Sequence, residues 1–247
     1  MKKILLVPSA RKTQGTGHLK RCLRLLRQCG GEARILLPRE SCSRLRGWEE
    51  IRNLLAPDLA RTMVVFDPGD FEADLVVFDR RETGVREFGE ISRGRVSAGI
   101  DEGGPARGLF SFLIDTFPRL SRRIPANVAD SGLIAEGPAK PCREPPPRLR
   151  RVLLSFGGED PAGLTGRTLR ALLRSGLFDP RDIDIVEGPA FIVPVESGGG
   201  RIFRGLQDIR PLLAGYDGVF TSFGLTPYEA EKEGCLPALV NPTRYHD

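Results

Sequence analysis

The sequence predicts an α/β protein built from two domains, each a parallel β-sheet with helices on both faces. Short runs rich in β-branched and aliphatic residues alternate with amphipathic helical stretches along most of the 247 residues, a pattern typical of parallel sheets. Residues 136–150 (EGPAKPCREPPPRLR) are too rich in proline to form a helix or a strand. The alternation restarts after them, so we expect an N-terminal domain at 1–138 and a C-terminal domain at 148–247.

The N-terminal domain is predicted to contain six strands and a long first helix. The strands are expected at 3–7, 33–37, 62–66, 74–78, 95–100 and 110–114. The helix at 18–29 carries apolar residues at helical spacing, which marks its core face. The residues of this core face are Leu19, Cys22, Leu23 and Leu26, and those expected to point outward are Lys20, Arg21, Arg24 and Arg27.

Carboxylates follow four of these strands. They are Asp67, Asp79, Asp101 and Asp115. Ligands bind beyond the carboxyl ends of parallel strands, but an Asp before a turn or helix is also common capping chemistry. We therefore expect only about one in four of these residues to belong to a functional site.

The C-terminal domain is predicted to repeat the alternation over fewer residues. Its strands are expected at 151–156, 182–186, 201–203, 218–222 and 236–240, and its helices at 163–175, 206–214 and 227–233. Seven residues follow the last strand, so we expect this domain to be abbreviated or cut short at its C-terminus. Asp182 and Asp184 resemble a metal-binding Asp-x-Asp pair, but they begin a strand instead of ending one, which argues against a metal there.

Composition argues against several classes of partner. The net charge is +5, yet six of the 37 basic residues are lysines and the other 31 are arginines scattered among 32 acids, which is typical of a solvated surface and not of a nucleic-acid interface. Five cysteines without a C-x-x-C pair indicate neither a disulfide framework nor a zinc site. No apolar run reaches the ~18 residues of a membrane span and no cleavable leader is evident, so we expect a cytoplasmic protein. The sequence does not indicate an oligomeric state.

The first loop with ligand-binding character is QGTGH at 14–18, between the first predicted strand and helix. Gly15 and Gly17 allow close backbone approach to a ligand. His18 falls at the start of the helix, where the helix dipole favours a neutral ring that can act as a base. A histidine that caps the helix or packs on the surface is an equally good interpretation. A dinucleotide site is a weak one, because Lys20 stands where G-x-G-x-x-G requires a small residue.

The second loop, SFGGEDPAGLT at 155–165, follows the first strand of the C-terminal domain. Gly157 and Gly158 leave room for phosphate oxygens to meet backbone N–H groups. The composition is equally typical of a plain helix start, with Asp160 as the N-cap and Pro161 at the first helical position.

The third loop, TSFGLTPYEAEKEG at 221–234, leads into the last predicted helix. Thr226 and Glu229 have the spacing of a capping box with Pro227 at the first helical position, which explains Glu229 without a ligand. In the functional interpretation, Glu229 accepts hydrogen bonds from two vicinal ribose hydroxyls while the helix N-terminus faces a diphosphate. The motif alone leaves both interpretations open.

Four segments together resemble the PseG/SpsG family: GTGHLKR near the N-terminus, SFGGEDPAGLT after the proline-rich segment, VEGPAF at 186–191 and FGLTPYEAEKEGCLPALVNP near the end. The members are UDP-sugar hydrolases of pseudaminic acid synthesis and spore-coat polysaccharide proteins, related to MurG-like glycosyltransferases. The resemblance spans nearly the whole chain. It implies a GT-B-like fold, in which two Rossmann-like parallel-sheet domains face a cleft and the C-terminal domain holds most of a UDP-sugar.

The resemblance also implies roles for particular residues. His18 matches the family's base, which acts on the water that attacks the anomeric carbon. The residues implied in binding the nucleotide sugar are Gly15, Gly17, Ser155, Gly157, Gly158, Gly224, Thr226 and Glu229. No metal or other cofactor is implied, because backbone dipoles can stabilise the departing diphosphate. The chain departs from the family pattern in placing the bulky Phe223 where small residues usually precede the Thr-x-x-Glu.

Three hypotheses follow for a protein whose partner is a small-molecule nucleotide sugar. The first is hydrolysis of a UDP-linked sugar in surface polysaccharide or nonulosonic acid synthesis, with inversion at the anomeric carbon and His18 as the base. The second is transfer of the sugar to an acceptor hydroxyl that His18 activates. The third is a nucleotide-sugar-binding module without catalysis. Fold analogy does not choose among them.

Overall fold

The computed structural model describes residues 2–9, 17–37, 63–117, 123–130, 146–158, 160–188, 191, 194–206 and 208–241. The chain divides into two compact units, Met1–Leu133 (unit 1) and Ile134–Asp247 (unit 2). Most of the predicted linker at 136–150 lies outside the described residues, as does the predicted ligand-binding residue Gly15.

Unit 1 contains a parallel sheet of seven strands in the order β3-β2-β1-β4-β5-β6-β7. The strands are β1 Ile4–Pro8, β2 Ala33–Leu36, β3 Val64–Val65, β4 Leu75–Asp79, β5 Val96–Ile100, β6 Phe112–Asp115 and β7 Val128–Ala129, and the helices are α1 Gly17–Cys29 and α2 Val85–Ser92. The six predicted strands are confirmed with ends shifted by one or two residues. The sequence prediction missed β7, because two exposed residues give no periodic pattern.

The central strands of the unit 1 sheet are buried on both faces. On one face, Leu6 and Ile35 pack against the predicted core stripe of α1, including Leu19 and Leu26. On the other face, Leu5, Val7, Val76 and Phe78 pack against Ile91 of α2. Strands buried on both sides read as continuous apolar runs, which explains why ILLV and LVVF are recognisable in the sequence.

Unit 2 contains a parallel sheet of five strands in the order β10-β9-β8-β11-β12. The strands are β8 Val152–Ser155, β9 Ile183–Val186, β10 Ile202–Phe203, β11 Gly218–Thr221 and β12 Leu236–Leu239, and the helices are α3 Leu164–Ser175, α4 Arg210–Leu213 and α5 Thr226–Lys232. The predicted helix at 206–214 is too long. Its start is delayed because the Asp208 carboxylate accepts a hydrogen bond from the Arg210 amide at 3.0 Å and Pro211 lies in the first turn.

The second aspartate of the Asp-x-Asp pair at 182–184 serves the fold. Asp184 lies near the start of β9, at the amino edge of the sheet, and accepts hydrogen bonds from the Tyr216 hydroxyl at 2.5 Å and from the Arg201 guanidinium at 2.8 Å. Burial alone would raise the pKa of Asp184, but these hydrogen bonds lower it below its ordinary value. Burial and the bond to Asp184 raise the pKa of Tyr216 to about 12. This network ties β9 to the segments before β10 and β11.

Each sheet has one switch point, where the strand order reverses beside the first strand of the unit. In unit 1 the switch lies between β1 and β4, and Pro8 pairs with Asp79 there. In unit 2 it lies between β8 and β11, and Ser155 pairs with Thr221. Loops that leave the carboxyl ends of strands at a switch point diverge and open a crevice, which is where α/β sheets bind ligands. In the part of the chain that the structure describes, no helix is long and apolar enough to cross a membrane.

Candidate functional site

His18 lies at the switch point of unit 1. Helix α1 begins at Gly17, so His18 occupies its first turn. The helix follows β1, and β4 is the neighbour of β1 in the sheet. The ring is buried, and its Nδ1 atom lies 2.7 Å from the Oδ1 atom of Asp79. His18 is therefore not a surface histidine, which was one of the non-functional interpretations that the sequence allows.

The charge of Asp79 fixes the tautomer of His18. Burial alone would raise the pKa of the fully buried Asp79 carboxyl, but the charge of Arg21 and the hydrogen bonds from Arg21 and His18 outweigh burial and lower this pKa. An ionised carboxylate only accepts hydrogen bonds, so Nδ1 of His18 is the donor. In the neutral ring Nε2 then carries the lone pair. Nε2 has no hydrogen-bond partner among the described residues, so it can take a proton.

Arg21 was expected to point outward, and this prediction is wrong. Its guanidinium is buried and holds Asp79 with two hydrogen bonds of 2.6 Å, from Nε to Oδ2 and from Nη2 to Oδ1. The long side chain runs from α1 to the carboxyl edge of the sheet, where a charge partner is available. Burial alone would lower the pKa of Arg21, but Asp79 and Asp101 raise it above its ordinary value.

Asp101 and Thr116 complete a buried network around Arg21. Nη2 of Arg21 donates to Asp101 at 2.8 Å and Nη1 donates to the Thr116 hydroxyl at 2.9 Å. Asp101 also accepts from the Thr116 hydroxyl and amide, both at 2.7 Å, while its backbone has a left-handed φ of 54°. Such a φ is strained for a residue other than glycine, and these bonds hold it in place.

The four strand-end carboxylates have different surroundings. Asp79 and Asp101 converge on Arg21, and of the four only Asp79 is bonded to His18. Asp115 pairs with Arg107 through two bonds of 3.1 Å. Asp67 closes an exposed turn by accepting from the Gly69 amide. The sequence does not distinguish the four, because the long-range contacts that do so leave no local signal.

The predicted phosphate loop of unit 2 lies at its switch point. Ser155 ends β8 and is buried, and Gly157 follows with a left-handed φ of 87°. The amide groups of Gly157 and Gly158 make no hydrogen bond to any residue in the described ranges. A Cβ on Gly188, in the loop after β9, would overlap the carbonyl oxygens of Gly157 and Gly158. The absence of a side chain at Gly188 thus allows the loops after β8 and β9 to touch. Gly188 belongs to the VEGPAF segment, but its spacing in the sequence does not indicate this contact.

Helix α3 is capped in part as expected. Both carboxylate oxygens of Asp160 accept backbone hydrogen bonds, from Leu164 at 2.7 Å and from Thr165 at 2.8 Å. Pro161, however, lies three residues before the helix begins at Leu164, so the prediction that it occupies the first helical position is wrong. The chain first makes a left-handed turn at Gly163, where φ is 61°. Asp160 thus occupies the amides of Leu164 and Thr165, whereas those of Gly157 and Gly158 have no hydrogen-bond partner among the described residues.

Glu229 is buried in the first turn of α5, next to β11 and β12. The predicted capping box is wrong, because Thr226 is itself helical and the N-cap is Leu225, with no side-chain hydrogen bond at this cap. Glu229 is therefore not part of a capping box. The preceding Phe223 donates its amide to Asn241 at 2.9 Å and packs edge-on against Tyr228, with ring centroids 6.4 Å apart. An added Cβ on Gly224 would meet open space, so this loop keeps room beside the chain.

The structure thus groups the predicted residues into two sets, one on each unit. The unit 1 set is Gly17 and His18, and the unit 2 set, on the two loops of its switch point, is Ser155, Gly157, Gly158, Gly224, Thr226 and Glu229. Within the described ranges, no group of three or more His, Cys, Asp or Glu side chains is arranged to hold a metal ion.

Comparison with solved structures defines the class of fold. The spinosyn forosaminyltransferase SpnP matches 97% of this chain over 80% of its own, with a TM-score of 0.51 and 15% sequence identity. UGT89C1 of Arabidopsis thaliana, solved in complex with quercetin, matches 99% of this chain over 80% of its own, with a TM-score of 0.50 and 12% identity. The fold is GT-B-like, as the sequence predicts. No protein-family model matches the chain, and no curated protein matches it.

Proposed function

We propose that this chain is an enzyme that hydrolyses a nucleotide-activated sugar, in which His18 is the general base and the nucleotide is UDP. The observation that carries the proposal is the His18–Asp79 pair at the switch point of unit 1, with Nδ1 of the ring 2.7 Å from a buried carboxylate. A histidine whose orientation and tautomer are set by a carboxylate is a common arrangement for general-base catalysis.

The proposed chemistry follows from that geometry. Nε2 of His18 takes a proton from water as the water oxygen bonds to the anomeric carbon, and the bond from that carbon to the diphosphate oxygen breaks with its electron pair leaving on the nucleotide. Attack opposite the leaving group inverts the anomeric carbon. Asp79 holds the ring through Nδ1–H and stabilises the imidazolium that forms.

Unit 2 is proposed to bind the nucleotide. The amides of Gly157 and Gly158 lie just beyond the carboxyl end of β8 and have no hydrogen-bond partner among the described residues. They are suited to donate hydrogen bonds to the oxygens of a diphosphate. Glu229 follows the adjacent strand β11 and is proposed to accept hydrogen bonds from ribose hydroxyls. Ser155 and Thr226 flank the same two loops, and Gly224 lies in the second of them. The likeness of the fold to SpnP, named as a forosaminyltransferase, supports a sugar-transferring chemistry.

That name also favours a second candidate, transfer of the sugar to an acceptor hydroxyl. The same Nε2 atom would then take its proton from the acceptor instead of water. Hydrolysis predicts release of nucleotide without any acceptor, whereas transfer predicts that release depends on one.

The test is a panel of UDP-, CDP- and GDP-sugars assayed for nucleotide release with and without acceptor alcohols. His18→Ala should lower kcat/KM by about 10²- to 10⁴-fold, because that is what a lost general base typically costs. His246→Ala, at the only other histidine of the chain, is the matched control and should leave the rate unchanged. A loss of about threefold or less in His18→Ala would exclude the base role.

Binding separates the remaining outcomes. UDP should raise the melting temperature of both the parent and His18→Ala, since ligands that bind the folded state stabilise it. A shift with UDP and no turnover of any sugar nucleotide would indicate a binding module without catalysis. No shift with UDP, CDP or GDP would refute the proposal as a whole.

A further inference from the structure

Arg21 is shared by two buried carboxylates, and the balance of charge in this group bears on His18. Asp79 and Asp101 are 0% and 1% exposed, and Nη2 of Arg21 donates to both, at 2.6 and 2.8 Å. The Thr116 hydroxyl accepts from Arg21, so its own hydrogen is directed to Asp101. Asp101 therefore accepts hydrogen bonds from Arg21, from the Thr116 hydroxyl and from two backbone amides, which is the pattern of an ionised carboxylate.

Asp79, Asp101 and Arg21 together carry a net charge of −1, because two carboxylates face one guanidinium. A proton on His18 brings the group to zero. If Arg21 faced Asp79 alone, that pair would already be neutral, and a proton on the buried ring would add an uncompensated charge. Isolated charge in a region of low solvent exposure is costly.

Among the described residues, the other groups on the elements packed against α1 are neutral or have partners of their own. Helix α1 packs against β1, β2 and β4, and against the turn Gly30–Glu32, whose Glu32 lies beyond the C-terminal end of the helix, away from His18. No titratable residue lies in β1, and Arg34 of β2 donates to the carbonyl oxygens of Gly31 and Ala33. Arg80, next to Asp79, is paired with Glu87 at 2.5 Å. Burial raises the pKa of the Cys22 thiol, so it stays neutral beside Asp79.

We propose that Asp101 is a positioning residue for His18: by taking up part of the charge of Arg21, it leaves the Asp79 carboxylate free to balance a proton on the ring. Asp101 does this without being bonded to His18. The catalytic consequence rests on the function proposed above, but the charge coupling itself does not.

The coupling can be measured by NMR titration of the histidine rings in the full chain. There are two histidines, so His246→Gln assigns the spectrum. Asp101→Asn should move the titration of His18 to lower pH by about one unit, the scale of a removed charge near a titrating group. Asn tolerates the left-handed backbone at this position. Arg21→Gln should move the titration in the opposite direction, because it leaves two carboxylates facing the ring.

Thr116→Val is the matched control. It removes hydrogen bonds to Arg21 and Asp101 but changes no charge, so it should shift the titration of His18 by no more than about a few tenths of a unit. Equal shifts in Asp101→Asn and Thr116→Val, or shifts of the same sign in Asp101→Asn and Arg21→Gln, would overturn the proposal.

An activity arm separates this proposal from the proposed function. With a sugar nucleotide that is turned over, the ascending limb of kcat/KM against pH should move with the NMR titration in each variant. If the NMR shifts occur but no sugar nucleotide is a substrate, the charge coupling stands and the proposed function fails. If turnover requires His18 but Asp101→Asn leaves both titrations in place, the function stands and the coupling fails.

Discussion

Asp79→Asn should lower the free energy of unfolding more than a change of any other strand-end carboxylate. Asp79 accepts three charged or polar hydrogen bonds of 2.6 to 2.7 Å, two from Arg21 and one from His18. An amide at this position replaces one accepting oxygen with an NH2 group that faces donors. It also removes the closest counter-charge of a buried guanidinium.

The expected loss follows from what a broken buried ion pair typically costs, about 3–5 kcal/mol. Asp101 still pairs with Arg21, so we expect the lower part of that range, about 3 kcal/mol. Against a total stability of about 5–15 kcal/mol for a domain, such a change is readily measured.

The assay is urea unfolding of the full chain followed by circular dichroism, with separate transitions fitted where the two units unfold apart. Asp67→Asn is the control: its side chain is exposed, its turn can be closed by Asn, and the change should stay within about 0.5 kcal/mol. A loss of less than about 1 kcal/mol in Asp79→Asn would refute the view that this carboxylate anchors Arg21 and His18.

The remaining predictions concern acid, alkali and the loops of unit 2. The pKa of Asp79 is lowered in the folded state, so the ionised carboxylate stabilises the fold fully at pH values above 3.8, its ordinary pKa, and this stabilisation is lost as the pH falls below that value. The difference in free energy of unfolding between parent and Asp79→Asn should therefore shrink as the pH falls through this range. One tyrosine should ionise near pH 12 in an absorbance titration, and Tyr216→Phe should remove that step; a titration unchanged by the substitution would contradict the bond to Asp184. Gly188→Ala should weaken UDP binding at least about tenfold, because the added methyl group displaces the Gly157 loop. Gly166→Ala is the control: α3 has room for its methyl group, so this variant should bind UDP like the parent and be more stable by up to about 1 kcal/mol.

Much of the fold was predictable because buried parallel strands are continuous apolar runs. ILLV, LVVF and RVLLSF stand out in the sequence, and the glycines that follow them mark the loops at the switch points. Helix starts were less predictable. A Thr-x-x-Glu spacing predicted a capping box at Thr226, but the chain enters α5 from Leu225 in helical conformation and buries Glu229 instead.

Long-range partners were the part that sequence could not supply. Arg21 follows His18 by three residues in a helix whose apolar stripe lies beside it, so helical periodicity placed it on the solvent face. Its partner Asp79 is 58 residues away and reaches it only because β4 pairs with β1. Pairing order in a parallel sheet is set by the whole fold, and neither residue carries a local sign of it.

Gly188 lies so close to Gly157 and Gly158 that the loop after β8 and the loop after β9 depend on each other for their conformation. A chimera that grafts SFGGEDPAGLT into another scaffold will reproduce its shape only if the segment containing Gly188 is transplanted with it. Libraries that diversify this region should vary both segments jointly, and randomising position 188 alone should yield few clones that retain the original loop.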